Sequence, residues 1–518
     1  MPEPTSSLRI GIDVGGTNTD AVVLDGDLQL VGKVKRPTSA DVVTGISDAL
    51  AAVLDVADVA ASDVGRVMLG TTHATNAVLE RRELGRVAVI RIAGPATTAL
   101  PPLTMWPHDL RNVVSAGEVI VQGGIEFDGS EHMPLDEAQI RDFLTSLAER
   151  PDAVAIVSSF APVSIEHEER AAAVVADVLG DDMAISRSGS LGTIGLIERE
   201  NATVLNGALL GVAQSIVNGL AEATARVGIE ANTYFAQNDG TLMPFDRVLE
   251  FPVLTIGSGP ANSMRGAAHL SSLDEAIVVD VGGTSTDIGV LNNGFPRESV
   301  VPVEIGGVRT NFRMPDLLAI ALGGGTVVRD DEGLSLGPDS VGHRLDTEAE
   351  IFGGATTTLS DAAVAGGRAS FGSATPQIHA ERATAALARV DEMFADGIDR
   401  MKLSRSPRPV IAVGGGSVLV PSEVEGASEV LRPDHFDVAN AIGAAIASVS
   451  ADLDQLFSVE GATRDEVIAK AKAMAIDTAV ALGADPDATE VVSIEELTMA
   501  YMTDNILRLR IKAAGPLQ

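Results

Sequence analysis

Cysteine is absent from this chain of 518 residues, and tryptophan, tyrosine and lysine number one, two and six. Without cysteine there is no disulfide, no thiolate nucleophile and no cysteine-held zinc or iron–sulfur centre. Positive charge is also scarce: 37 basic residues stand against 72 acidic ones, a formal charge of −35. Such a surface does not suit nucleic acid, whose phosphates need clustered cations. No continuous apolar run approaches the roughly 20 residues that span a bilayer. The start, Met1-Pro-Glu-Pro-Thr, lacks the basic and apolar regions of a signal peptide. The expectation is a cytoplasmic protein with no membrane segment. An anionic nucleotide would be held by backbone N–H groups and Mg²⁺ rather than by a basic pocket.

Glycine is plentiful, at 52 residues, and its placement repeats. Asp13-Val-Gly-Gly-Thr-Asn-Thr-Asp20 recurs 267 residues later as Asp280-Val-Gly-Gly-Thr-Ser-Thr-Asp287. Each copy lies between two apolar runs, which reads as strand, tight turn, strand. Glycine pairs there let backbone approach a ligand closely, and successive N–H groups make an anion-binding concavity. This makes Gly15, Gly16, Thr17 and Thr19, with Gly282, Gly283, Thr284 and Ser285, the candidate phosphate cradles. Asp13 and Asp280, at the strand ends, are candidate Mg²⁺ ligands. A third glycine turn, Gly414-Gly-Gly416, follows the apolar run Val410–Val413 and offers bare backbone to a flat ring.

Apolar periodicity predicts strands at 8–12, 21–24, 66–69, 86–92 and 153–157, with helices at 42–54 and 136–149. A helical segment over 193–227 joins a second half with strands at 233–236, 276–279, 288–291 and 410–413. Helices are expected at 378–394 and 436–451. The Pro-rich stretch 95–107, with Trp106, reads as a loop or lid, and the Gly-rich stretch 322–367 as irregular. The expected units are residues 8–195, residues 196–451, and a C-terminal α/β appendage over 452–518.

The paired hairpins and the late glycine turn resemble the ATPase superfamily of actin, hexokinase and the heat-shock chaperones. Within it, the two octapeptides and Gly70-Thr-Thr-His-Ala-Thr-Asn-Ala-Val-Leu-Glu-Arg81 resemble the A subunit of the hydantoinase/oxoprolinase family. Ala321–Thr326 and Gly354–Asp361 fit the family's later part. Asn18 stands where phenylalanine is common, and the Cys/Tyr segment of longer members is missing, which leaves the substrate open.

The resemblance implies two duplicated ribonuclease-H-like α/β domains with a nucleotide cleft between them. It implies ATP and Mg²⁺ as cofactors, and phosphorylation of a lactam, hydantoin or related cyclic amide carbonyl before ring-opening hydrolysis. Asp13 and Asp280 would organise Mg²⁺ and water, Asp13 or Asp20 the nucleophile, and Gly414, Gly415 and Gly416 would lie near adenosine. Thr72, His73, Thr75 and Asn76 would face the substrate. Asp239, at a strand end, either orients substrate or caps its turn. Expected partners are a B-type subunit or further copies of the chain. The same motifs serve the ATPase component of a ketone carboxylase, and a nucleotide-switched activator is a third reading.

Overall fold

The computed structural model describes residues 8–39, 41–191, 195–299, 301–329, 333–459, 461–497 and 506–518. Four strands open the chain: β1 (Leu8–Val14), β2 (Asn18–Leu24), β3 (Leu30–Pro37) and β4 (Val64–Thr71). The next four, β5 (Val87–Gly94), β6 (Ser115–Gln122), β7 (Ala153–Ser158) and β8 (Ala184–Arg187), form a separate, wholly parallel sheet ordered β6-β5-β7-β8. All residues of β5 and β7 are buried, as expected of strands covered by helices on both faces. The expected unit 8–195 is therefore two sheets. Local apolar patterning marks strands without saying which of them pair.

After the helix Leu196–Arg226, the strands β9 (Asn232–Ala236) and β10 (Leu242–Pro244) return to the first sheet, β9 alongside β4. The second main sheet begins with β11 (Ala276–Val281), β12 (Thr286–Asn292) and β13 (Phe295–Pro296) and is continued by Arg408–Val413 and Ala427–Leu431. The run β3-β2-β1-β4-β9 and the run from β13 through β12 and β11 to 427–431 have one order and one set of directions. In each, three antiparallel strands are followed by two parallel ones. The duplicated octapeptide thus sits in a duplicated frame.

Strands Val449–Ser458, Ile506–Gly515 and Glu490–Leu497 extend the first sheet beyond β10 to nine strands. The expected boundary at 451/452 falls inside one of these, so the tail completes a sheet rather than forming its own. Helix Arg464–Ala481 packs on this extension through Ala471, Ala475 and Ala479. The Gly-rich stretch is more regular than expected, with a hairpin (Thr326–Arg329, Ser335–Ser340) and a helix (Leu359–Ala365) capped reciprocally by Thr358 and Asp361. The helix expected over 436–451 runs only Ala439–Ile446, because Val449 already pairs in the sheet.

Trp106 is buried, and its indole donates to Asn201 Oδ1 at 2.7 Å, so the Pro-rich stretch is anchored in the core at that end rather than free as a lid. Helix Leu196–Arg226 is long and apolar enough to span a membrane, which the search for apolar runs missed. It contains Arg199, Glu200 and Asn206, and two thirds of its most apolar stretch is buried against the rest of the protein. Glu200 is gripped by Arg91 from β5 at 2.5 and 2.6 Å. This is the behaviour of a core helix.

Candidate active site

The two octapeptides fold alike. Asp13 pairs with Asp20 and Val14 with Thr19; Asp280 pairs with Asp287 and Val281 with Thr286. Each tip closes with the same bond, Gly15 N–H to Asn18 O at 3.0 Å and Gly282 N–H to Ser285 O at 2.9 Å. Behind the first tip, Thr38 donates its N–H to Thr17 O (3.0 Å) and its hydroxyl to Gly15 O (2.7 Å). Behind the second, the 321–326 turn does the same work: Gly324 N–H bonds Gly282 O (3.0 Å) and Gly325 N–H bonds Gly283 O (2.7 Å).

The carbonyls are therefore satisfied from the back. The N–H groups of Gly16 and Thr17, and of Gly283, Thr284 and Ser285, donate to no acceptor among the described residues. A Cβ added at Gly16 or Gly283 would meet nothing within 4 Å. Each tip presents an open row of donors, which suits phosphate.

Two helices bring the tips together. Ser258–Ser271 and Ala439–Ile446 cross so closely that a Cβ at Gly443 would collide with the Asn262 carbonyl, and one at Gly266 with that of Ala439. The crossing inserts Ser263 and Asn440 between the hairpins. Ser263 Oγ is in hydrogen-bond contact with both Asp280 Oδ2 and Asn440 Oδ1, and Asn440 Nδ2 donates to Asp13 Oδ2 at 3.3 Å. Asp13, Asn440, Ser263 and Asp280 thus form one chain linking the two halves.

Around that chain, Asp13 Oδ1, Asp20 Oδ1, both amide atoms of Asn262 and Ser417 Oγ are buried without a partner. Buried polar atoms are rarely left so, and a cluster of them marks a place built for a further polar group. Burial, the charge of Asp20 and that of Asp280 push the Asp13 carboxyl up to about 7, against the hydrogen bond from Asn440. Burial likewise raises Asp280 and Asp20, opposed at Asp280 by Ser263 and at Asp20 by Lys35. Lys35, opposite Asp20 in the β2–β3 register, holds Asp20 Oδ2 at 2.6 Å. Asp287 reaches about 7 through burial and the charge of Asp280.

The remaining candidates divide. Gly414, at φ +84°, has no room for a side chain beside Asp280, and Gly416 N–H bonds Val281 O at 2.8 Å, while a Cβ at Gly415 would meet open space. The glycine turn therefore abuts the second hairpin. Thr72 donates its N–H and hydroxyl to Val14 O at 3.2 and 3.3 Å, and Asn76 Nδ2 donates to Thr72 Oγ1 at 3.3 Å, which ties this segment to the first hairpin. Thr75 donates to the Ile256 carbonyl, and His73 lies 3.3 Å from Thr71 Oγ1 with its pKa lowered by burial.

Asp239 stands apart. It is buried against Lys512 at 2.6 Å and bonded to Thr241. Its turn follows β9, and its ion-pair partner Lys512 lies on the strand Ile506–Gly515, beyond β10 in the sheet.

Asn262, Ser263, Asn440 and Lys35 were not singled out by sequence reasoning. The helical residues carry no motif, and the one signal that could have pointed to Lys35 is the scarcity of lysine. Among the described residues no group of three or more His, Cys, Asp or Glu is arranged to hold a metal.

Comparison with known proteins decides the family. The model of the hydantoinase/oxoprolinase N-terminal region matches residues 9–179, and that of hydantoinase/oxoprolinase itself matches residues 199–398. The chain belongs to the hydantoinase/oxoprolinase family. It is 30% identical over 390 residues to caprolactamase subunit alpha of Pseudomonas jessenii, covering 69% of this chain and 54% of that one. To the acetophenone carboxylase gamma subunit of Aromatoleum aromaticum it is 25% identical over 392 residues, covering 68% and 52%. The chain thus spans about half the length of these curated relatives.

The solved ATP-dependent caprolactamase of P. jessenii shares the fold, with a TM-score of 0.74 at 22% identity over 98% of this chain and 88% of that one. Nucleotide-free acetone carboxylase does so at 0.68 and 17%, over 99% and 88%.

Proposed function

We propose that this family member is the ATP-hydrolysing, A-type subunit of an enzyme that activates a lactam, hydantoin or related cyclic amide by phosphorylating its carbonyl oxygen. The observation that carries this reading is the Asp13–Asn440–Ser263–Asp280 chain, which holds two free N–H cradles on either side of one buried acidic centre. The cradles at 15–17 and 282–285 bind the triphosphate. Asp20, fixed through Oδ2 by Lys35 and with Oδ1 unpartnered, orients the carbonyl nucleophile. The amide oxygen attacks the γ-phosphorus, the bond to the bridging oxygen breaks, and ADP leaves. Loss of the amide proton gives an imidate phosphate. One water adds to its carbon and the C–N bond breaks, opening the ring to an amine and an acyl phosphate; a second water then releases phosphate and leaves the carboxylate. The residues position groups and neutralise charge, as phosphoryl transfer requires.

The donor set fits Mg²⁺. It is oxygen-only, and Asp13 Oδ1 is buried without a partner. Two carboxylates are enough for an ion that keeps waters and shares phosphate oxygens. Asp13 and Asp280 would hold it, and it would supply charge neutralisation on the phosphates. The segment Thr72–Asn76, tied to Val14, would line the acceptor side, with Gly415 toward the nucleoside. Two relatives are named as subunits, which supports a B-type partner for the hydrolytic step, with self-assembly the alternative. With ATP as substrate, the setting would be the cytoplasm.

The test is phosphate release from Mg-ATP across a panel of lactams, hydantoins and ketones, with bicarbonate present or absent. Lactam- or hydantoin-dependent release supports the reading. Absence of Mg-ATP binding at millimolar concentration refutes it. Ketone- and bicarbonate-dependent release would instead place the chain with the carboxylase ATPases, a reading favoured by the acetophenone carboxylase match.

A further inference from the structure

A second cavity, of about 450 Å³, lies away from the hairpins. It exists because β10 and the strand Val449–Ser458 share a single register pair, Leu242 with Val449, and then separate. Its opposite wall includes Pro162 and Leu191, which follow the carboxyl ends of β7 and β8 in the parallel sheet. That edge is where open parallel sheets usually take ligands. From β1 through β4, β9 and β10 to 449–458 there are four strand spacings, about 19 Å at 4.8 Å each. The near wall, the turn after β9, is two spacings from β1, and the lining contains none of Asp13, Asp20, Asn262, Ser263, Asp280 or Asn440, so the cavity is a site apart from the acidic centre.

Its polar groups do not balance. All three carboxylates on its walls are committed: Asp239 to Lys512 at 2.6 Å, Asp452 to Arg313 at 2.7 Å, and Asp454 to Arg508 and Arg510 at 2.9 and 3.3 Å. Arg247 is not. Its guanidinium makes no hydrogen bond among the described residues; it lies 4.1 Å over the Phe251 ring and 3.5 Å from Glu250. Arg313 Nη2 also lacks an acceptor. Arg247 and Arg313 thus keep N–H groups for a further acceptor, and a guanidinium's planar fork matches a carboxylate. Leu254 and Phe312 supply apolar wall for the rest of such a molecule.

We propose that this cavity is a binding site for a small organic carboxylate with an apolar body, its carboxylate taken by Arg247. A pocket of this volume suits a small molecule. Nothing in the phosphoryl-transfer reading requires it, so the two stand or fall separately.

The experiment is calorimetric titration of the full chain with hexanoate and, as a neutral match in shape, hexanamide. Hexanoate is expected to bind at least about tenfold more tightly. Arg247→Gln should abolish that preference and Arg247→Lys retain part of it, with circular dichroism and Mg-ATP binding as in the parent. Equal binding of the two probes overturns the proposal, as does no binding of hexanoate up to about 10 mM. So does an Arg247→Gln variant with undiminished hexanoate affinity. Displacement of hexanoate by Mg-ATP would show one shared site and overturn the separation.

Discussion

The hairpin at 13–20 and the hairpin at 280–287 share register, closing bond and free N–H groups, yet stand in different charge environments. In the first, Asp20 faces Lys35 across the β2–β3 ladder; in the second, Asp287 faces Ala319 on the strand Leu317–Ile320. The Asp287 carboxyl makes neither ion pair nor hydrogen bond among the described residues, and it is pushed up to about 7. Duplication has preserved the backbone with its free N–H groups, while among the described residues only the first copy carries a cation beside it. Under the proposed function, the first hairpin would be the reacting side and the second the anchoring side.

The largest expected effect comes from removing the charge both hairpins share. Asp13→Asn and Asp280→Asn should each lower kcat for ATP hydrolysis by about 100- to 1000-fold, as loss of a group acting on transition-state charge does. Steady-state phosphate release measures this. A variant that keeps most of its activity would break the paired-site account.

Lys35→Ala should lower kcat by about tenfold with little change in KM, and Lys35→Arg should recover part of it. A loss confined to KM would make Lys35 a binding group only, and would remove the distinction between the hairpins.

A smaller effect concerns stability. The Asp287 carboxyl has an ordinary value of 3.8 and a folded value of about 7. Between these pH values the folded state binds more protons than the unfolded one, so this residue's contribution to stability falls as pH rises through 7. Asp287→Asn should raise the nucleotide-free protein's stability at pH 8 by on the order of a few kcal/mol and leave it little changed near pH 4. Ala319→Lys should have the same sign by giving Asp287 the partner that Asp20 already has. Thermal melting at the two pH values checks both.

The hairpins, the glycine turn at 414–416 and nine of the 23 described strands were legible in the sequence. Their signals are local: apolar runs broken by glycines, and an octapeptide met twice. What joins them was not. Ser263 meets Asn440 across 177 residues of chain, through a helix crossing that depends on Gly266 and Gly443. Nothing around either residue announces the other. The split of the first 195 residues into two sheets was hidden likewise, since β4 and β5 are both apolar runs and pairing depends on distant partners. Asp239 was singled out because a strand-end turn looks alike whether it meets a ligand or a buried lysine.

The most direct test fills each cradle without disturbing the fold. A side chain at Gly16 or Gly283 enters open space, so Gly16→Val and Gly283→Val should melt as the parent does. If both tips grip one triphosphate, calorimetric titration with Mg-ATP will show each variant binding at least about tenfold more weakly. Parent-like affinity in either variant would contradict the account.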